Sequence, residues 1–357
     1  MDNLLYYYWI TTIKGISTRK IYKLLEYYGD IKSLWNTIPG ELKDIPGMPE
    51  TLAYNIINRR NENTLLKEIK EIKSKGIDII TVDSENYPEN LKNIYEPPIV
   101  LYIKGSFKEC RAYLGVVGSR KCSSFGKTIT RNMAKGLAEY GIGIISGMAR
   151  GIDTQAHFGA LDSDGYTCAV VGCGLDIVYP PENKLLMKEI INRGAVVSEY
   201  VPGTQPYAYN FPERNRIISG LSDALLVVEA GEKSGALITV DFAIEQGKDV
   251  FAVPGSILSS ISKGTNKLIK DGAKIVTDID DILEEFKIDI KYNNINEEKL
   301  SEAEKMILSE IENAPVQADK LLHKMKLKIG EFNSVLTSLE LKGIVKVLPG
   351  KYVIRIF

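Results

Sequence analysis

The middle of this 357-residue chain alternates short apolar runs with amphipathic segments, and this alternation constrains the fold more than any other feature. Runs such as IGIIS and ALLVV are apolar at nearly every position, which is typical of strands buried on both faces of a parallel sheet. Amphipathic helices fit between most of these runs. The pattern predicts an α/β domain with a Rossmann-like, doubly wound and mainly parallel sheet. Its predicted strands cover residues 112–117, 142–146, 167–171, 195–198, 224–229, 250–253 and 274–276.

A helical domain is predicted before the sheet, over residues 1–75. It contains two segments, 9–26 and 42–57, that resemble the helix-hairpin-helix motif, in which the N-terminus of the second helix can hold a phosphate. Lys14 and Arg19 make the first hairpin the better phosphate site. A small helical domain that only packs is an equal alternative.

A third domain is predicted at residues 299–357, after the Rossmann-like domain at 76–288 and a polar linker at 291–298. Its pattern of three helices followed by a β-hairpin is typical of a winged helix. The predicted helices cover residues 301–314, 316–327 and 330–343.

Composition and charge exclude several classes of protein. The net charge is −1, and residues 81–298 carry 23 basic against 29 acidic side chains, so any site for a polyanion must be a local patch. The chain has no run of about 18 apolar residues, no signal-like N-terminus and no CxxC pair among its four cysteines. We therefore expect a cytoplasmic protein without membrane contact. Two histidines offer little to a metal site or a histidine-dependent hydrolase, and no metal is expected.

Five of the predicted strands end in clusters of glycine and other small residues. Such clusters allow positive φ and close approach of the backbone, and ligands of open α/β sheets bind beyond the carboxyl ends of the strands. A single cluster is a weak signal because tight turns also need glycine, but five on one edge predict a functional crevice. The clusters cover residues 116–126, 146–157, 170–176, 227–239 and 252–255.

A nucleotide cofactor does not fit these clusters. The first turn, GVVGSRKCSSFG, lacks the G-x-G-x-x-G spacing and an acidic residue placed for a ribose. No GxxxxGK[ST] sequence occurs either. We therefore expect no cofactor.

Arginine side chains occupy the same edge instead. Arg120 and Arg150 follow the first two strands of the domain, and the FPERNR sequence adds Arg214 and Arg216. Guanidinium groups make bidentate contacts to phosphate and stack on bases. For each of them a structural salt bridge is an equal alternative. Ligand contact is favoured for Arg120, because the turn itself places this residue at the crevice. Gly118 and Ser119 are expected to offer free donors there.

Aromatic side chains are interleaved with these arginines. Phe211 begins the FPERNR sequence, and Tyr207 and Tyr209 precede it. Bases stack on such rings while arginines pair with the phosphates of a single strand. We predict that Phe211 is a stacking platform, because Pro212 should prevent a helix there. The alternative is a ring that anchors the loop in the core.

Together these motifs resemble the DNA-processing protein A (DprA/Smf) family. The resemblance is dense over residues 85–280, and it rests on VVGSR, SGMARGIDTQAH, GCGLDIVYPPEN, FPERNRIISGLS, EAGEKSGALIT, VFAVPG and GTNKLIKDGA. It implies a cytoplasmic homodimer without catalytic activity that binds single-stranded DNA. It also implies that the protein protects incoming DNA, displaces single-strand-binding protein and loads a RecA-type recombinase during natural transformation.

The resemblance assigns roles to particular residues. It implies that Arg120 contacts DNA, that Phe211 stacks on a base and that a dimer forms around residues 265–275. Members often have a basic residue just before the phenylalanine, whereas this chain reads YAYNF. Some phosphate affinity is therefore missing, or Tyr207 and Tyr209 replace it by stacking. The predicted dimer contacts are Leu268 and Ile269, which could instead only cover the sheet. The predicted DNA-binding residues are Gly118, Ser119, Arg120, Arg150, Phe211, Arg214, Asn215, Arg216, Lys233, Ser234 and Gly235.

Two other functions remain open. Nucleotide phosphoribohydrolases with a similar Rossmann-like fold have a Gly/Thr-rich turn where this chain reads VVEAGEKSGALIT, and Glu229 or Glu232 is a conceivable acid. Their PGGxGTxxE sequence is absent from this chain. The winged helix also allows a transcriptional regulator with the sheet as a sensor. However, Glu331 and Glu340 on its third helix favour a partner contact or weak backbone binding over base reading in the major groove.

Overall fold

The computed structural model describes residues 3–43, 45, 47–288, 300–311, 316–325, 327–341, 345–348 and 350–355. The chain divides into two compact units, Met1–Ile288 and Asp289–Phe357. The predicted linker at residues 291–298 lies outside the described residues. No helix within the described ranges has the length and apolar character needed to cross a membrane.

The strands described in the first unit form one sheet. They are β1 (Asp78–Thr81), β2 (Val100–Gly105), β3 (Ala112–Gly118), β4 (Ile142–Ser146), β5 (Thr167–Val170), β6 (Ala195–Ser198), β7 (Ala224–Val228), β8 (Asp249–Ala252) and β9 (Lys274–Ile275). Their order is β1-β2-β6-β5-β4-β3-β7-β8-β9. Pairing is parallel from β6 across to β9, whereas β2 is antiparallel to both β6 and β1.

The sheet is doubly wound about β3. The chain proceeds outward from β3 through β4 and β5 to β6, then crosses back to β7 on the other side of β3. This reversal creates a topological switch point between β3 and β7, the usual place for a ligand crevice. The Rossmann-like, mainly parallel prediction is confirmed. The seven predicted strands agree with β3–β9 to within one residue at each end.

Helices cover the two faces of the sheet. Strand residues alternate between the faces, so that Val196 and Val197 belong to different hydrophobic clusters. The helices of this unit are α1 (Leu4–Thr11), α2 (Thr18–Tyr28), α3 (Ile31–Asn36), α4 (Pro39–Lys43), α5 (Glu50–Asn58), α6 (Glu62–Ser74), α7 (Glu89–Lys92), α8 (Ser124–Glu139), α9 (Ile152–Asp162), α10 (Lys184–Arg193), α11 (Asn210–Gly220), α12 (Ala236–Glu245), α13 (Lys263–Lys270) and α14 (Asp280–Glu285).

The N-terminal helices share a hydrophobic core with the sheet. Trp9 and Ile10 of α1 are fully buried in a cluster that also contains Ile190 of α10 and Val196 of β6. The helical segment therefore packs as part of the first compact unit. The predicted boundary at residue 76 does not divide two separate hydrophobic cores.

The first predicted hairpin places the N-terminus of α2 beside carboxylates. Thr18 Oγ1 donates to Glu199 Oε1 at 3.0 Å, and Arg19 Nε lies 3.7 Å from Glu96 Oε1. A phosphate at this helix N-terminus would meet two like charges. Phosphate binding by the hairpin stays a prediction, and its local charges oppose it.

Helix α11 corrects the prediction for FPERNR. Pro212 does not prevent a helix, because it lies in the first turn of α11. Proline is tolerated there since the N–H groups of a first turn have no partner within the helix. The helical period then places Asn210, Arg214 and Ile217 on one buried face.

The second unit is a winged helix, as predicted. Its core includes Leu321, Leu339 and Val353, which are fully buried. One detail is different: Val316 does not begin a helix but pairs with Val353 in a three-stranded sheet, because the chain is extended there. The elements are α15 (Glu302–Ser309), β10 (Val316–Gln317), α16 (Ala318–Met325), α17 (Ile329–Leu341), β11 (Val345–Leu348) and β12 (Tyr352–Arg355).

Candidate functional site

Phe211 lies between two arginines beyond the carboxyl ends of the central strands. The guanidinium carbon of Arg120 is 5.5 Å from the centroid of the Phe211 ring, and that of Arg214 is 5.8 Å away. Tyr179 packs against the same ring, with 5.4 Å between centroids. Both arginines are at cation–π distance from the partly buried ring, but Arg120 is exposed and Arg214 is buried.

Arg214 is part of the interior. It is only 3% exposed, and its Nη1 donates to the carbonyl oxygens of Gly147, at 2.7 Å, and Val170. Burial lowers the pKa of Arg214 to about 10, and burial raises the pKa of the neighbouring Asp153 to about 6. The predicted phosphate contact is corrected here: because α11 begins at residue 210, Arg214 points inward and links β4 to β5.

Arg216 and Arg150, the other two predicted arginines, each form a salt bridge. Arg216 Nη2 contacts both carboxylate oxygens of Glu199, at 2.6 and 2.5 Å, and the Arg216 side chain is 14% exposed. Arg150 pairs with Glu182 and remains about half exposed. The alternative of a structural salt bridge therefore applies to Arg216. The Arg150–Glu182 pair is open to solvent, and DNA contact by Arg150 stays a prediction.

Glu229 clamps the turn that carries Arg120. The Ser119 N–H donates to the Glu229 carbonyl oxygen at 2.7 Å, and the Ser123 N–H donates to Glu229 Oε2 at 2.7 Å. Glu229 itself has a φ of +50°, a left-handed conformation that is costly for a residue with a side chain. The donor of Ser119 was predicted to be free and is not, because β7 ends beside β3. The turn is consequently held by these hydrogen bonds, and Arg120 is exposed on it.

Glycines let the strand ends approach one another here. A Cβ on Gly118 would lie 1.9 Å from the Val228 carbonyl oxygen, and one on Gly172 would lie 3.2 Å from Phe211 Cδ1. Gly118 thus allows β3 and β7 to pair to their ends, and Gly172 leaves room for the Phe211 ring. Contact of Gly118 with DNA stays a prediction.

The loop after β7 is tied to α11. Asn215 Nδ2 donates to the Gly235 carbonyl oxygen at 3.4 Å, and Ser234 Oγ accepts from the Ala236 N–H at 3.3 Å. Lys233 is exposed, and no carboxylate among the described residues pairs with it. The structure thus leaves Lys233 as an available cation, and DNA contact by Lys233, Ser234, Gly235 and Asn215 stays a prediction.

A cleft of about 530 Å³ opens beside the Glu229 clamp rather than at Phe211. Ser123, Phe125, Glu229 and Gly255 are among the residues that line it. Neither Arg120 nor Phe211 lines this cleft, so the Arg120–Phe211 contact lies outside it. Within the described ranges, no group of three or more His, Cys, Asp or Glu could hold a metal ion.

Two family models match this chain. A family model described as DNA recombination-mediator protein A matches residues 78–287, and one described as the DprA winged helix domain matches residues 296–351. The chain belongs to the DprA/Smf family. The family resemblance predicted from the motifs is confirmed.

Relatives within the DprA/Smf family cover most of the chain. DNA processing protein DprA of Streptococcus pneumoniae is 40% identical over 274 residues, which is 76% of this chain and 94% of that protein. Its X-ray structure has a TM-score of 0.70 and 39% identity, over 80% of this chain and 99% of that chain. Protein Smf of Synechocystis sp. is 32% identical over 385 residues, covering 96% of this chain and 97% of that protein.

A solved DprA structure from Helicobacter pylori addresses that protein's single-stranded DNA binding mode. It has a TM-score of 0.54 and 29% identity, over 59% of this chain and 95% of that chain.

Sequence reasoning missed two residues of this site. Tyr179 packs on Phe211 but follows β5 by nine residues, and only its position in a cluster at the same sheet edge could have indicated it. Glu229 was considered as a catalytic acid, not as a clamp. Its place directly after β7, at the switch point, was the available signal.

Proposed function

We propose that this protein binds single-stranded DNA at the surface formed by Arg120 and Phe211 and acts there as a recombination mediator. The observation that carries the proposal is the exposed Arg120 guanidinium 5.5 Å above the Phe211 ring, with no carboxylate of the described residues at salt-bridge distance from Arg120. A guanidinium and an aromatic ring side by side offer a phosphate contact and a base-stacking face. Membership of the DprA/Smf family supports the same function.

The finer steps of the proposal follow from the family. The protein protects incoming single-stranded DNA in the cytoplasm, displaces single-strand-binding protein and loads a RecA-type recombinase during natural transformation. Strand exchange by such a recombinase on DNA already coated with single-strand-binding protein tests this. The wild type should shorten the lag before exchange, and an unchanged lag would argue against recombinase loading.

A homodimer formed by α13 and β9 belongs to the same proposal. Leu268 packs partly against the core of the sheet, while Ile269 is partly exposed beside it. β9 is the open edge of the sheet, and its Ile275 is 47% exposed. An apolar helix face next to an unpaired strand edge is a surface that a second copy can cover.

Salt-dependent binding tests the central claim. We expect single-stranded DNA to bind more tightly than duplex. Log affinity should fall with log salt with a slope of magnitude about 2 to 3.5, the value for three to five phosphates on a single strand. Arg120→Ala should weaken binding by about 1–3 kcal/mol and lower the slope, because it removes a charge-assisted contact. Arg120→Lys should restore binding only in part, since an ammonium lacks the bidentate geometry.

Arg193→Ala is the matched control, because Arg193 is a surface arginine at the opposite end of the strands, paired with Asp164. It should leave DNA affinity unchanged. If Arg120→Ala bound DNA with wild-type affinity, the proposed site would be wrong. If duplex and single strands bound equally well, the proposed ligand would be wrong.

The phosphoribohydrolase alternative is less well supported by the site. Both oxygens of the Glu229 carboxylate accept hydrogen bonds from Ser123, so this group is used in holding the turn. An assay for hydrolysis of nucleoside monophosphates separates the two functions, because turnover abolished by Glu229→Gln would favour the enzyme.

A further inference from the structure

Tyr207 and Tyr209 form an exposed aromatic stack next to the proposed DNA site. Their ring centroids are 5.5 Å apart and their planes differ by only 4°, which is a parallel stack. Tyr207 is 49% exposed and Tyr209 is 65% exposed. Two large rings that cover each other and leave their outer faces to water are not part of the core.

The loop that carries the stack is held in place. Asn210 follows it directly, is 1% exposed, and donates from Nδ2 to the Gly172 carbonyl oxygen at 2.9 Å. The Asn210 N–H also donates to the Tyr207 carbonyl oxygen at 3.1 Å, which closes a turn around Tyr209. The rings are therefore presented on a fixed backbone, which reduces the entropy lost when a ligand stacks on them.

The stack lies close to Phe211 along the chain. Tyr209 is the residue before α11, and Phe211 is the second residue of that helix. Their Cα atoms are at most about 7.6 Å apart, because consecutive Cα atoms are 3.8 Å apart. Bases one or two steps apart along a strand can span that distance.

The hydrogen bonds of the described residues around the stack do not involve charged groups at the two tyrosines. Among the residues that the structure describes, no charged side chain makes a hydrogen bond to Tyr207 or Tyr209. The stack thus offers a ligand its aromatic faces. Nucleobases of a strand already held by Arg120 are the ligand that this chemistry recognises.

We propose that the Tyr207–Tyr209 stack is a second base-binding platform, separate from Phe211, for the strand that crosses the Arg120–Phe211 surface. The inference rests on the proposed binding of single-stranded DNA. It assigns to this platform a share of the affinity that does not depend on phosphate charge, in addition to the share of Phe211.

Salt titration of the double variant Tyr207→Ala/Tyr209→Ala tests the platform. Its affinity for oligo-dT should fall about 5- to 50-fold, the effect of losing one stacked base, while the salt slope stays at the wild-type value. Arg120→Ala should have the opposite signature, a lower slope. Tyr207→Phe/Tyr209→Phe should bind like the wild type, because the ring face and not the hydroxyl is used.

Tyr54→Ala is the matched control, since Tyr54 is 68% exposed on α5, outside the sheet domain. It should leave affinity and slope unchanged. The platform proposal would be overturned if the affinity of the double-alanine variant stayed within twofold of the wild type. It would also be overturned if the phenylalanine variant or Tyr54→Ala lost affinity to the same extent. If the wild type binds no single-stranded DNA, the proposed function fails; if only Arg120→Ala weakens binding, the platform alone fails.

Photocrosslinking on the unmodified protein gives a second measurement that does not depend on the folding of a variant. An oligonucleotide with 5-iododeoxyuridine at successive positions should crosslink to Tyr207 or Tyr209 at one position and to Phe211 at another. Peptide mapping that finds crosslinks at Phe211 but none at either tyrosine would contradict the proposal.

Discussion

At the scale of single residues, exposure decides what each arginine of the site can do. Arg120 and Arg214 lie near the same phenylalanine ring, but one is exposed and the other is 3% exposed with two carbonyl partners. A guanidinium that already satisfies buried carbonyl groups cannot turn outward without leaving them unpaired. Arg120 is therefore the arginine available for the proposed ligand contact, and Arg214 contributes to the stability of the fold.

Phe211→Ala should weaken binding of oligo-dT and of mixed-sequence single strands equally, by about 1–3 kcal/mol, because every base has a stacking face. Phe211→Trp should keep most of the affinity. The partly buried ring should cost less stability than the roughly 3–5 kcal/mol of a fully buried phenylalanine. Thermal melting of the two variants alongside DNA binding checks this. A large fall in melting temperature with DNA affinity preserved would show that Phe211 only anchors the core.

Arg214→Ala should destabilise the fold by about 3–5 kcal/mol, because it leaves the buried Asp153 without its neighbouring cation and two carbonyl groups without a donor. Arg150→Ala is the control: its exposed pair with Glu182 should contribute only about 0–1 kcal/mol. Urea unfolding of both variants measures the difference. Equal stability of the two would contradict the structural role of Arg214.

At the scale of elements, α9 carries two buried groups with opposite pH dependence. Burial lowers the pKa of His157 from 6.5 to about 3, so the folded state holds it neutral while the unfolded chain takes up a proton. This contribution to stability is present above pH 6.5 and is lost as the pH falls toward 3. Burial raises the pKa of Asp153 to about 6, so its contribution is full below pH 3.8 and is lost as the pH rises through 6.

His157→Gln separates the two groups. Between pH 7 and pH 5 the wild type should lose on the order of 2 kcal/mol of stability relative to the variant, because only the wild type has a histidine that the unfolded chain protonates. Urea unfolding of both proteins at the two pH values gives this difference. If the two proteins lose stability in parallel, His157 is not the group responsible.

At the scale of the whole molecule, the open edge of the sheet predicts self-association. Light scattering at tens of micromolar should give the mass of a dimer for the wild type. Ile269→Glu should give a monomer, because a charge would be buried against the second copy. Leu185→Glu, at a 78% exposed position on α10, should remain a dimer. A wild-type monomer would contradict dimerisation, whereas a dimeric Ile269→Glu protein would place the interface elsewhere.

The strands of the parallel sheet, its doubly wound class and the family were readable from the sequence because they depend on local patterns. Apolar runs of strand length separated by amphipathic helices allow few topologies, and glycine clusters mark the strand ends. The winged helix was readable for the same reason. The exposure of Arg120 in the turn after β3 was also readable, whereas its contact with DNA stays a prediction.

The division of work among the FPERNR residues was decided only by the tertiary structure. Pro212 lies in the first turn of α11, and the resulting helical phase turns Arg214 into the core and leaves Phe211 partly exposed. The same holds for Glu229, whose role depends on β7 pairing with β3, strands that lie far apart in the chain. Composition shows which charges and rings are available. Which of them face solvent depends on the phase of a helix and on pairings between distant strands, and these are fixed only when the chain packs.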